Sequence, residues 1–247
     1  MNETEIHRVT ADLGGVRSFY LDTCTDRDAI VCLHGRYGRA ETWVDLFGKY
    51  STEYRIVAPD LRGHGLSEAP PSSYSAEEMA GDVSGLLEHL GIVSAILVGH
   101  SLGGRIASYF AALNPDMVQG LAILDKSAQG LANLDGDKPL RFDPLTSSWP
   151  LPFPTFAQAR QFIAQWAESD LSSDYFMSSL VETVRGYEMM FDSRAIVSGL
   201  NQDLDWYHWL PSIKCPTLIV RAKNSEAVPD QELVKLRSGL SNCMVRE

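Results

Sequence analysis

Positive charge is in short supply. The 247 residues carry 21 Lys and Arg against 32 Asp and Glu, a formal net charge of −11. Phosphate backbones and anionic membrane surfaces are repelled by such a chain, so neither nucleic acid nor membrane is an expected partner. Cysteine is sparse as well. Cys24, Cys32, Cys215 and Cys243 are scattered without C-x-x-C spacing. That excludes a disulfide framework or a thiolate zinc site and fits reduced thiols. No His, Cys and Asp cluster has ligand spacing, so no metal or organic cofactor is expected. No apolar run is long enough to span a bilayer. The first residues, Met1-Asn2-Glu3-Thr4-Glu5, are polar and acidic, with no basic region leading into an apolar run. No signal peptide is visible, and a cytoplasmic location is expected.

What is there suits an ordinary soluble globule, 45% hydrophobic and 21% charged. The length allows one large domain or one domain with an insertion. Residues 5–21 read as a hairpin turning at Gly14-Gly15. Ala29 to Leu33 and Tyr54 to Ala58 are continuous apolar runs, as strands buried on both faces should be. Ser75-Ala76-Glu77-Glu78 opens a helix with a capping pattern, and Gly91 closes it. Val118 to Leu124 and Thr217 to Val220 complete the core strands. Strands alternating with helices predict an α/β fold with a mostly parallel sheet.

Residues 127–210 break this rhythm. They hold four of the five tryptophans and six of the nine phenylalanines. Helical patterns run from Phe156 to Trp166 and from Tyr175 to Met190. The segment is expected to be a helical cap, with residues 1–126 and 211–247 forming the core. Its aromatic load has two readings: a small subdomain needs large side chains to make a core of its own, or some of the aromatics, with Trp149 and Trp166 as candidates, line an apolar substrate pocket together with His34 and His100.

Gly99-His100-Ser101-Leu102-Gly103-Gly104 carries the chemistry. It follows the apolar run Ser94 to Val98 and opens onto a helical run from Arg105 to Leu113. Strand, G-x-S-x-G, helix is the context of a nucleophile elbow, with Ser101 as nucleophile and the Leu102 amide as an oxyanion donor. His34-Gly35-Arg36-Tyr37-Gly38 follows the third strand, where the Arg36 amide supplies the second donor.

With these motifs the chain resembles the α/β-hydrolase family. The resemblance rests on His34-Gly35, on Pro59 to Ser67, on Gly99 to Gly104 and on Pro216 to Arg221. It implies a doubly covered sheet and a serine, acid, histidine triad. The Pro59 to Ser67 segment is then a structural loop in which His64 packs rather than acts as a base. Glu226 matches the family's usual acid position. Asp125, after the strand ending at Leu124, is the alternative acid, and Asp230 reads as a helix N-terminal acid. Family members carry the base after the acid, yet no histidine follows Glu226. The chain is therefore expected to be truncated, or its sequence to omit a tail. His208, among Trp206, Tyr207 and Trp209, is expected to be packed by aromatics.

The resemblance implies a serine hydrolase of a small, apolar ester or lactone. Related epoxide hydrolases and haloalkane dehalogenases use Asp where this chain has Ser101. A carbon–carbon bond hydrolase of ring-fission products and a non-catalytic ligand-binding member of the fold are the alternatives.

Overall fold

The computed structural model describes residues 5–131, 139–223 and 225–247. Strands β1 (His7–Asp12) and β2 (Arg17–Asp22) form the expected hairpin, with Gly14 and Gly15 at φ +69° and +91°. Strand β3 (Ala29–Leu33) leads through helix α1 (Val44–Tyr50) to β4 (Arg55–Pro59). Helix α2 (Ala76–His89) begins at a capping box. The Ser75 side chain accepts from the Glu78 amide, and the Glu78 carboxylate accepts from the Ser75 amide. Strand β5 (Ala95–His100), helix α3 (Leu102–Leu113) and strand β6 (Val118–Leu124) follow.

Helices α4 (Phe156–Trp166) and α5 (Asp170–Met177), strands β7 (Leu180–Thr183) and β8 (Gly186–Met189), and helix α6 (Ser193–Asn201) then intervene. A 3-10 helix, Tyr207–Ser212, returns the chain to β9 (Thr217–Val220), helix α7 (Asp230–Gly239) and β10 (Cys243–Arg246).

Eight strands form one sheet in the order β1-β2-β4-β3-β5-β6-β9-β10. The first two pairings are antiparallel and the rest parallel. Both faces are buried. Val31 and Leu33 of β3 point into one cluster with Met79, Leu86, Ile106 and Phe110. Ile30 and Cys32 point into the other with Trp43, Phe47 and Ile56. A strand covered on both sides has no polar face to show, which is why its sequence is an unbroken apolar run.

One reading of the inserted segment needs correction. Tyr175 to Met190 is not one helix. Helix α5 ends at Met177, and the chain turns back as the hairpin β7-β8, with Gly186 at φ +127°. Val181, Thr183 and Val184 are β-branched and favour strand over helix. The aromatic load is divided between two packing centres. Trp149, Phe153 and Phe176 form a cluster of their own with Ala159 and Ile163. Trp206 and Leu210, by contrast, pack into the main core.

Candidate active site

In a parallel sheet the loops at the C-terminal strand ends converge, and ligands bind there. Register brings the candidate residues to one edge. Leu33 lies beside Gly99, His100 beside Leu124, and Leu124 beside Val220. The residues that follow these strand ends are therefore neighbours. The Ser101 amide donates to the Leu124 carbonyl (2.9 Å), and the Asp125 amide to the Val220 carbonyl (2.8 Å).

Ser101 sits at φ 48° and ψ −111°, between β5 and α3. The sharp turn brings backbone against backbone. A Cβ on Gly99 would strike the Gly103 carbonyl, and a Cβ on Gly103 would strike the Leu33 carbonyl. Only glycine fits either place. The Ser101 hydroxyl has no hydrogen-bond partner among the described residues. Leu102 opens α3, so its amide has no intrahelical acceptor.

Five non-glycine residues among those described have positive φ, and three stand at these strand ends: Tyr37, Ser101 and Asp125. Strained backbone of this kind gathers at functional sites. The two candidate acids differ in their settings. Asp125 follows directly on the strand beside Ser101, and its carboxylate accepts from the Ala222 amide at 3.2 Å. Glu226 is exposed and has no hydrogen-bond partner among the described residues. Asp230 is the first residue of α7 and is bound by Arg221 at 2.5 Å.

Arg36 lies in the turn after β3, and its amide is not donated to any described residue. The turn is pinned from two sides. From the inserted segment, the Tyr175 hydroxyl donates to the Arg36 carbonyl at 3.0 Å. From below, His34 is fully buried. Its Nδ1 lies 2.8 Å from the Gly35 carbonyl and its Nε2 accepts from the Leu61 amide at 2.9 Å. These bonds assign the proton to Nδ1. Burial holds the imidazole well below its ordinary pKa, helped by His64. His34 is thus a neutral brace and does not line a pocket, which corrects the expectation for it.

His64 packs edge-on against His34, with ring centres 5.1 Å apart, and burial lowers it to about 4. His100 packs edge-on against Tyr175 over Gly35, and burial lowers its pKa too, opposed by the Asp125 charge. His208 is exposed beside Trp209. None of the six histidines is hydrogen-bonded to Ser101 among the described residues.

Trp149 borders a hollow of about 610 Å³ with Phe142, Met189, Phe191 and Val197. Neither Ser101 nor Trp166 lines it. Trp166 is 40% exposed and packs on Trp149 and Phe176. The hollow is lined by the inserted segment, and none of Arg36, Ser101 and Asp125 at the strand ends borders it. Tyr175 escaped the sequence reading because its helix was drawn too long. Lys126 and Asp203, described below, escaped it because nothing local marks them as buried.

No group of His, Cys, Asp and Glu among the described residues is arranged to hold a metal ion. No helix among them is long and apolar enough to cross a membrane.

Comparison with known proteins agrees with this architecture. The chain is 38% identical over 122 residues to a soluble epoxide hydrolase of Corynebacterium sp. (strain C12), a match covering 49% of this chain and 42% of the relative. The matched stretch is thus less than half the length of that curated relative. Among solved structures, an E-2-(acetamidomethylene)succinate hydrolase superposes with a TM-score of 0.82 at 23% identity, covering 98% of this chain and 90% of the other. The enol-lactonase from Burkholderia xenovorans LB400 follows at 0.74 and 21%, with 96% and 90% covered. At such identities the superpositions speak for the fold alone. The family model of the alpha/beta hydrolase fold matches residues 28–247, and the chain belongs to that family.

Proposed function

We propose that the protein is a serine hydrolase that cleaves a small carboxylic ester or lactone through an acyl-Ser101 intermediate. The observation that carries this reading is Ser101 itself: a strained serine at a strand-to-helix elbow, its hydroxyl unengaged among the described residues. The Ser101 oxygen adds to the substrate carbonyl and gives its proton to a base. The Leu102 and Arg36 amides receive the developing oxyanion, and the alcohol leaves with the proton. Water then adds to the acyl-serine and releases the acid. Asp125, on the neighbouring strand end, is the group that orients the base. The base is the part of the triad that none of the six histidines fills by contact with Ser101. An aspartate nucleophile suits epoxide opening; a serine suits acyl transfer.

The unengaged Ser101 also favours a second reading, a ligand-binding member of the fold without turnover. A serine-directed fluorophosphonate separates the two. On the full-length protein it is expected to add its mass to the peptide containing Ser101. Ser101→Ala is expected to remove both the label and the turnover of p-nitrophenyl acetate. Asp125→Asn should lower that turnover by roughly a hundredfold or more, while Glu226→Gln leaves it unchanged. Turnover retained by Ser101→Ala would remove the nucleophile assignment. Absence of labelling is the result expected of the second reading.

A further inference from the structure

Next to the elbow lies a buried cluster whose charges do not balance. Arg36, Arg105 and Lys126 surround one carboxylate, Asp203, at 3.5, 3.4 and 3.4 Å. All four side chains are more than nine-tenths buried. Each cation belongs to an element of the site. Arg36 lies in the turn after β3, Arg105 is one helical turn beyond Ser101, and Lys126 follows Asp125. Arg105 donates Nη2 to the Gln202 carbonyl at 2.7 Å, and Lys126 reaches the Gln129 carbonyl at 3.3 Å. The Arg36 guanidinium makes no hydrogen bond to any described residue. Its Nη2 and the Nε of Arg105 face Asp203 at ion-pair distance without forming a hydrogen bond, and the Oδ1 of Asp203 likewise has none.

Other acids of these segments accept hydrogen bonds from neutral donors. Asp125 accepts from Ala222, Asp205 from the Gly130 amide, and Asp143 from Tyr37 and Thr146. Within the cluster three cations thus share one carboxylate, in a place where water is largely excluded. A buried cation without a partner is strongly unfavourable. Burial also lowers the pKa of both Lys126 and Arg105, against the pull of Asp203.

We propose that Arg36, Arg105 and Lys126 form a subsite for a carboxylate group carried by the substrate. The substrate is then an anionic ester or lactone, held by its carboxylate while its carbonyl faces Ser101. The planar guanidinium of Arg36 matches a carboxylate with two parallel bonds, and Lys126 adds a point charge. Asp203 holds the three cations together in the unliganded protein. This inference rests on the serine-hydrolase reading for the placement of the carbonyl, though not for the anion site itself.

The test is binding to the Ser101→Ala protein, measured by calorimetry and thermal shift. The probes are formate, acetate, succinate and phenylacetate, each paired with its neutral amide. At least one carboxylate is expected to bind roughly tenfold or more tightly than its amide. Lys126→Gln should weaken that binding by roughly tenfold, and Lys126→Arg should restore it. Asp203→Asn, which removes the competing carboxylate, should tighten it. A cluster that only clamps the inserted segment would give no preference for carboxylate over amide across the set, or a preference that none of these substitutions moves. Either result overturns the proposal. If Asp203→Asn fails to fold, the two Lys126 variants decide. Fluorophosphonate labelling of Ser101 needs no carboxylate. Labelling without carboxylate binding therefore removes the subsite and leaves the hydrolase reading, and the converse removes the hydrolase reading alone.

Discussion

Residues that a sequence shows as chemistry can turn out to be scaffolding, and the histidines divide along this line. His34 and His64 are buried against each other, with His34 bonded at both nitrogens to backbone. Their folded pKa values lie below the ordinary 6.5, for His64 at about 4. A base depressed in the folded state takes up its proton first in the unfolded state. These two groups therefore leave stability untouched above about pH 6.5 and reduce it below. The slope is about 1.4 kcal/mol per pH unit for each histidine, continuing for His64 down to about pH 4. Urea midpoints at pH 7.5 and pH 5.5 check this. The midpoint is expected to fall at the lower pH, and an unchanged midpoint would mean that the pair is not held neutral. At the same scale the elbow was fully legible. Gly99 and Gly103 are demanded by contacts within a few residues and one neighbouring strand, so the motif carries its own geometry. Asp125 and Glu226 were not separable in this way, because chain order does not report which carboxylate faces a neighbour and which faces water.

Among elements, α2 shows how far local signals reach. Its capping box was readable because the partners Ser75 and Glu78 are three residues apart. Ser75→Ala is expected to cost about 1 kcal/mol. Gly81, inside the same helix with open space around its Cβ position, should gain about 0.5–1 kcal/mol on substitution by alanine. Chemical denaturation of the two variants checks both signs. The hairpin β7-β8 shows where local signals stop. Part of its pairing comes from outside: Phe153 and Tyr187 exchange backbone bonds at 2.9 and 2.8 Å. A helical spacing of apolar residues there competed with a partner strand that no local window contains. The Asp203 cluster is illegible for the same reason, since its three cations arrive from three separate segments.

At the level of the molecule, two packing centres differ in consequence. Trp206 is fully buried and joins the core that runs under the sheet. Trp206→Ala is expected to destabilise the whole protein by about 3–5 kcal/mol. Trp166 lies at the margin of the separate aromatic cluster and is 40% exposed. Its replacement by alanine should cost distinctly less. Thermal unfolding of both variants reads the difference, and equal losses would mean that the two centres unfold as one. The mostly parallel sheet followed from the alternation of apolar runs and helices, whereas its strand order is set by pairings between distant segments. The 3-10 helix Tyr207–Ser212 did not, because its aromatics had been assigned to the insertion by position in the chain.

The two ends of that insertion are joined to each other. The Trp206 amide donates to the Ala128 carbonyl at 2.9 Å, and the Gly130 amide to Asp205 at 2.7 Å. The clasp closes a long excursion at its base, so the entropy of bringing the ends together is met there rather than by whatever lies between. Loop-closure cost rises only slowly with length. An excursion fastened at its neck can be lengthened or shortened wherever it does not touch the strand ends, while Tyr175 and Asp203 mark the places where it does. The same sheet can in this way carry insertions of different length between β6 and β9.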